Sequence, residues 1–183
     1  PVVPEKNEPP FHGAWEARAL AVTLAAGALG SAEAGVRAAV AGYRDVIDQL
    51  EHFDTEGVSH ELRGDALEGE AAGHVLLGEV LVRAGRPDEA RQVLTEAREM
   101  FQGLGDVPAA AAVYTALGRV GLREGRTEAA RDALARAIGI LADAGDVAGE
   151  AQARLLRAEA DRLEGALDVA ADELLRAAEL ATR

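Results

Sequence analysis

Residues 85–91 read Gly-Arg-Pro-Asp-Glu-Ala-Arg, and residues 125–131, forty positions later, read Gly-Arg-Thr-Glu-Ala-Ala-Arg. A shorter copy, Gly-Ala-Leu-Asp, begins a further forty positions along the chain, at Gly165. The same interval separates the Gly-Asp-Val sequences at residues 105–107 and 145–147. A fixed period in a sequence indicates stacked units, each of which buries the face that its neighbour exposes. The repeat therefore predicts an array that offers a binding surface rather than a catalytic centre.

Each copy of the repeated segment has residue types that end one helix and begin the next. Gly85, Gly125 and Gly165 stand where the end of a helix favours left-handed backbone. Pro87 and the acidic residue after it suit the first turn of the following helix. Apolar residues then recur on one helical face in all three copies. They are Ala90, Leu94, Ala97 and Met100, then Ala130, Leu134, Ala137 and Ile140, then Ala170, Leu174, Ala177 and Leu180.

The chain divides into four regions by composition and pattern. Residues 1–13 contain four of the six prolines and predict an extended arm. Residues 14–50 predict a pair of helices, the first ended by Gly30 and the second capped by Ser31. Residues 51–64 are polar and predict a loop, and residues 65–183 hold three regular helix pairs. The predicted pairs are 65–84 with 87–103, 107–124 with 127–143, and 147–164 with 167–182.

Residues 65–183 resemble the tetratricopeptide repeat. The positions that carry its signature are Leu77-Gly78, Gly85, Ala90, Leu94 and Ala97, and then Leu117-Gly118, Gly125, Ala130, Leu134 and Ala137. In the last unit Arg157-Ala158 replaces Leu-Gly, as in a terminal unit. The resemblance implies an all-α fold of antiparallel helix pairs stacked as a short right-handed solenoid, with the N-terminal arm outside it. The family period is about 34 residues, so a period of forty predicts longer helices or turns.

The same resemblance implies that the first helix of each pair lines a concave groove. Carried over position by position, the polar residues of this groove are Glu79, Arg83, Thr115, Arg119, Arg123, Gln152, Glu159 and Arg162. Arginine binds carboxylates through two hydrogen bonds, which makes an acidic peptide or a C-terminus a reasonable ligand. The alternative is that these arginines pair with Glu79, Glu124 and Glu159 and only solvate the surface.

The N-terminus carries a second resemblance. Residues 8–30 are similar to the N-terminal segment of nitrile hydratase β subunits and of the related small activator proteins. The residues that carry the match are Pro10, Phe11, Trp15, Glu16, Arg18, Ala19, Leu24 and Gly30, and Arg37 is the nearest counterpart of an arginine that supports the partner's metal centre. The resemblance implies a partner-binding arm of Phe11, Trp15, Glu16 and Arg18, together with Arg37. It also implies an α-like partner subunit that holds cobalt or iron, with no cofactor in this chain.

Composition excludes several classes of function. The net charge of −13 and the absence of any basic segment argue against nucleic acid and anionic membranes as partners. The chain has no cysteine, which excludes thiolate chemistry and is compatible with the cytoplasm. His52, Asp54 and His60 have metal-capable side chains, but a solvated loop accounts for them better, and the sequence predicts no catalytic or metal-binding residue.

These observations predict a non-catalytic protein–protein interaction module. In its sharper form, drawn from residues 8–30, the chain is an accessory or β-like subunit of a nitrile-hydratase-type metalloenzyme. The alternative is the tetratricopeptide-like sensor region of a larger bacterial regulator.

Overall fold

The computed structural model of the protein describes residues 29–52 and 58–182. Within these ranges the chain forms seven α-helices and no strand. The helices are α1 (Leu29–His52), α2 (Val58–Arg83), α3 (Pro87–Leu104), α4 (Val107–Arg123), α5 (Thr127–Ala144), α6 (Val147–Leu163) and α7 (Leu167–Ala181). Each helix packs on the next along the chain, so α2–α3, α4–α5 and α6–α7 are three successive units with α1 before them. The predicted all-α array of stacked helix pairs is confirmed.

Short turns hold the two helices of each unit together. Gly85 and Gly125 have φ angles of 75° and 69°, a left-handed conformation that glycine adopts without a steric penalty. The next backbone N–H folds back onto the preceding helix, as in the 2.9 Å hydrogen bond from Arg86 N to Leu81 O. Between units, the side chain of Asp106 caps α4 by accepting a 3.0 Å hydrogen bond from Ala109 N. The glycine turns thus lie where the repeat predicts them.

The Leu-Gly pair of the signature has a steric reason. A Cβ atom at Gly78 would lie 2.6 Å from Cγ of Leu94, and one at Gly118 would lie 2.5 Å from Cγ of Leu134. Both leucines have 0% of their surface exposed. Glycine at these positions therefore lets the second helix of a unit bring a leucine against the backbone of the first.

The third unit departs from this arrangement. Leu174, which follows Leu94 and Leu134 at the same period, is 49% exposed and does not share their buried position. Ala158 stands where the other units have glycine. Because a Cβ atom at Gly78 or Gly118 would collide with the facing leucine, an alanine at this position leaves less room for such a leucine. In addition, no described helix follows α7 and covers Leu174.

Several predicted boundaries in the N-terminal half are also wrong. The loop predicted over 51–64 is shorter, because α1 continues to His52 and α2 begins at Val58. Gly30 and Ser31 lie inside the first turn of α1, since one interior glycine costs a helix only about 1 kcal/mol. The predicted arm over 1–13 and the first predicted helix, up to residue 28, lie outside the described residues.

α1 continues the array at its N-terminal side. Tyr43 packs against Gly69, where an added Cβ atom would lie 2.4 Å from the ring, and Val40 packs against Gly73. Val36 belongs to the same buried cluster as the apolar residues of α2 and α3. Within the part of the chain that the structure describes, no helix combines the length and the apolar character needed to cross a membrane.

Candidate partner-binding groove

The first helices of the three units lie side by side, because α2 contacts α4 and α4 contacts α6. Between them is an open cavity of about 530 Å³, which we call the groove. It is lined by Glu79, Val82, Arg83, Ala116, Arg119, Leu122, Arg123, Leu156, Glu159 and Leu163. Half of these residues are charged and half are apolar, so the groove offers an apolar floor with charged groups around it.

The structure brings five of the eight predicted groove residues together. These are Glu79, Arg83, Arg119, Arg123 and Glu159. Thr115, Gln152 and Arg162 do not line the cavity. The hydroxyl of Thr115 instead donates a 2.9 Å hydrogen bond to the backbone carbonyl of Ala111 in its own helix. Of the apolar lining, Ala116, Leu156 and Leu163 were not predicted from the sequence.

Two of the four predicted arginines are engaged in ion pairs. Arg119 Nη1 lies 2.9 Å from Glu79 Oε1, which joins α4 to α2 across the groove. Arg162 Nη2 lies 2.9 Å from Glu159 Oε1 on the same helix. Both carboxylates that line the groove therefore have a cation of the chain itself beside them. For these two arginines the structure agrees with the alternative in which they pair within the surface.

Arg83 and Arg123 differ from the other two. They end α2 and α4 at the same position of successive units, both are exposed, and neither makes an ion pair among the described residues. Glu124 does not neutralise them, because its carboxylate lies 3.4 Å from Arg91 and 3.3 Å from Arg126. The groove therefore has two guanidinium groups whose hydrogen-bonding capacity is open to a ligand.

Arg37, assigned to the partner-binding arm from the sequence, lies on α1 at a second cavity of about 330 Å³, where α1 meets α2 and α3. Its Nε atom donates a 3.0 Å hydrogen bond to Glu33, which also accepts a 2.7 Å hydrogen bond from Arg86, the residue immediately before α3. These two arginines hold the pKa of Glu33 below its ordinary value of 4.5, with the Arg37 hydrogen bond the largest cause. Phe11, Trp15, Glu16 and Arg18 lie outside the described residues.

A buried histidine in this second cavity was not singled out from the sequence. His74 is 3% exposed, and its Nδ1 atom lies 2.9 Å from the backbone carbonyl oxygen of Glu70. Because a carbonyl oxygen only accepts, Nδ1 carries the hydrogen. Its Nε2 atom lies 3.3 Å from Arg44 Nη2 and 3.2 Å from Glu96 Oε2. His74 thus joins α1, α2 and α3, a role that became visible only with the three helices in place.

Among the side chains that the structure describes, no group of three or more His, Asp or Glu is arranged to hold a metal ion. The side chains of His52, Asp54 and His60, which the sequence marks as metal-capable, lie outside this description.

Two family models match separate segments of the chain. Residues 69–143, which run from α2 to α5, match the model of the tetratricopeptide repeat. Residues 1–57, which include α1 and Arg37, match the model of the nitrile hydratase beta subunit N-terminal segment. Both resemblances predicted from the sequence are confirmed, and the first supports the binding of a protein partner. No curated protein and no solved structure matches the chain.

Proposed function

We propose that this chain is a non-catalytic interaction protein whose groove binds an acidic segment of a protein partner. The observation that carries the proposal is the pair Arg83 and Arg123, two cations that have no ionic partner among the described residues although the chain has a net charge of −13. The similarity of residues 69–143 to the tetratricopeptide repeat supports the same class of function.

The lining of the groove defines the chemistry of the ligand. Val82, Leu122 and Leu156 form part of an apolar floor, and Arg83 and Arg123 stand beside it. A peptide that ends in an apolar side chain and a free carboxylate satisfies both features, because the carboxylate accepts hydrogen bonds from a guanidinium group while the side chain leaves water. Glu79 and Glu159 are already paired, so they repel such a ligand less than free carboxylates would.

Selection from a random peptide library with free C-termini tests this proposal. The parent protein is expected to enrich peptides with acidic residues or with an apolar residue before the terminal carboxylate, and the double variant Arg83→Ala/Arg123→Ala is expected to lose this enrichment. Arg176→Ala is the matched control, since Arg176 is an exposed arginine on α7 away from the groove. Equal enrichment by the parent and the double variant would contradict the proposal.

The similarity of residues 1–57 supports a finer proposal about the partner. The chain acts as an accessory or β-like subunit of a nitrile-hydratase-type metalloenzyme, and residues 1–57 contact an α-like subunit that holds cobalt or iron. Phe11 and Trp15 are the apolar anchors of this contact, with Glu16 and Arg18 beside them. Arg37 already has Glu33 as its partner in this chain, so it supports the contact through the geometry of α1.

Capture of partners from native lysate by full-length variants tests the finer proposal. The parent chain is expected to retain a cysteine-containing subunit together with stoichiometric cobalt or iron, measured by mass spectrometry and metal analysis. Phe11→Ala/Trp15→Ala is expected to lose that subunit, whereas the control His12→Ala in the same segment retains it. Retention of the same subunit and metal by the double variant would rule out the two aromatic residues as anchors.

A further inference from the structure

The outer face of α7 is apolar. Leu167, Ala171, Leu174 and Ala178 are all exposed, and the two leucines leave 64% and 49% of their surface in contact with water. They are separated by four, three and four residues, which is the spacing of a seam between two paired helices. Leu175, 64% exposed, widens this stripe. A repeat unit whose outer face remains in water ordinarily has polar residues there, so this apolar face is suited to being covered.

The same face of α5 forms an interface inside the chain. At the equivalent positions of α5, the Thr127 hydroxyl donates to Glu164 at the end of α6, and Arg131 Nε lies 2.6 Å from the buried Asp161 Oδ1. Further along α5, Ile138 belongs to one buried cluster with Ala153 of α6. The outer stripe of α7 is therefore the continuation of an established interface between units.

The outer faces of α3 and α5 differ from the outer stripe of α7 in charge. Arg91 of α3 and Arg131 of α5 both pair with an acidic residue of the next unit, at 3.4 Å and 2.6 Å. At the same position α7 has Ala171, and Leu167 replaces the hydrogen-bonding Thr127. An additional unit with the acidic residues of this array would find no cation on this stripe of α7 and would leave a carboxylate buried without a partner. The stripe is complementary to a surface that is itself uncharged.

We propose that α7 pairs with α7 of a second copy of this chain, in antiparallel orientation. In this register position 167 of one copy faces position 178 of the other, and position 171 faces position 174. Every layer of the seam then contains one leucine and one alanine, so the volumes are complementary and the small residues allow close approach of the helices. The exposed charged residues of α7 lie away from the stripe and stay hydrated; they are Asp168, Asp172, Arg176 and Glu179.

The proposed contact closes a two-fold dimer, the commonest symmetry of soluble oligomers. It is independent of the proposed function, because the groove is lined by α2, α4 and α6 and receives no residue from α7. Two arrays joined through α7 would leave both grooves open. Failure of the dimer would therefore leave the peptide-binding proposal intact, and the reverse also holds.

Sedimentation velocity of the full chain from micromolar to submillimolar concentration tests the proposal. The parent is expected to approach twice its mass of 19.0 kDa. Ala171→Arg and Ala178→Arg introduce residue types that already stand at positions 91 and 98, so they are compatible with the fold. Each is expected to weaken dimerisation about tenfold or more, because a charge would be buried in the seam. The control Ala142→Arg, at an exposed alanine of α5, is expected to dimerise like the parent.

A parent that stays at 19.0 kDa throughout, or a dimer that both α7 variants leave unchanged, would overturn the proposal. The orientation has its own test, since the chain has no cysteine. When Ala171→Cys and Leu174→Cys variants are mixed and oxidised, the antiparallel register predicts more of the mixed disulfide than of either homodisulfide. An excess of the homodisulfides would overturn this register.

Discussion

α5 and α7 occupy the same position in successive units, and they use it differently. In α5, Leu134 is fully buried against Gly118 and between its own unit and the next. In α7, Leu174 is half exposed, and the residues around it on the outer face are apolar and exposed as well. The repeat therefore specifies the packing within a unit, whereas the burial of the outer face of a unit depends on what packs against it.

The largest expected effect comes from truncating the two leucines. Leu134→Ala is expected to lower the free energy of unfolding by about 3 kcal/mol, because it leaves a cavity in a fully buried cluster. Leu174→Ala is expected to lower it by about 1 kcal/mol or less in the monomer, because half of the side chain is already in water. Urea unfolding at low protein concentration measures both. Equal losses in the free energy of unfolding at the two positions would contradict the proposed difference between α5 and α7.

The next-largest effect on stability is expected at Gly118, which lies against Leu134. Gly118→Ala is expected to destabilise the protein by about 2 kcal/mol, since the new Cβ atom would lie 2.5 Å from a leucine that cannot move aside. Gly139→Ala in α5 is the matched control, because nothing lies within 4 Å of its added Cβ atom, and helix propensity predicts a gain of up to about 1 kcal/mol. If Gly118→Ala left the free energy of unfolding unchanged, the close approach of Leu134 to Gly118 would not contribute to stability.

The smallest effect concerns α1, at the other end of the array. The pKa of Glu33 is lower in the folded chain than its ordinary value of 4.5, because Arg37 and Arg86 donate hydrogen bonds to it. Its contribution to stability is therefore complete above the unfolded pKa and is lost as the pH falls through the lowered folded pKa. Glu33→Gln is expected to make the parent's loss of stability below pH 4.5 less steep.

Urea titrations of the parent and Glu33→Gln at a series of pH values measure this slope. Glu128→Gln, at an exposed acid of α5 that makes no ion pair among the described residues, controls for the loss of one carboxylate. An unchanged slope in Glu33→Gln would mean that the ion pair between α1 and the turn before α3 does not contribute to stability.

The sequence predicted the parts of the fold that repeat. Gly85 and Gly125 marked the turns correctly, and the Leu-Gly pairs marked the closest helix contacts. Residues 58–64 were predicted as a loop because they are polar, but they are helical, and the ends of a helix carry less local signal than its middle. Leu174 was placed by its period alone, although the sequence already has Ala158 where the other units have glycine.

The sequence predicted several residues that line the groove, but it did not predict which of the arginines form ion pairs. Position within the repeat identified Arg83, Arg119 and Arg123, which all line the cavity. Which of them is free depends on side chains forty residues away, as Arg119 and Glu79 illustrate, and no local pattern encodes this. His74 was overlooked for the same reason, because its partners come from three different helices.

The affinity of the groove for one peptide in two forms tests the central claim most directly. A peptide selected by the parent is synthesised with a free C-terminal carboxylate and with a C-terminal amide, and fluorescence anisotropy gives both dissociation constants for the parent and for Arg83→Ala/Arg123→Ala. The account predicts that amidation weakens binding to the parent about tenfold and leaves binding to the double variant nearly unchanged. Equal weakening in both proteins would contradict the account, because the carboxylate would then be bound by other residues.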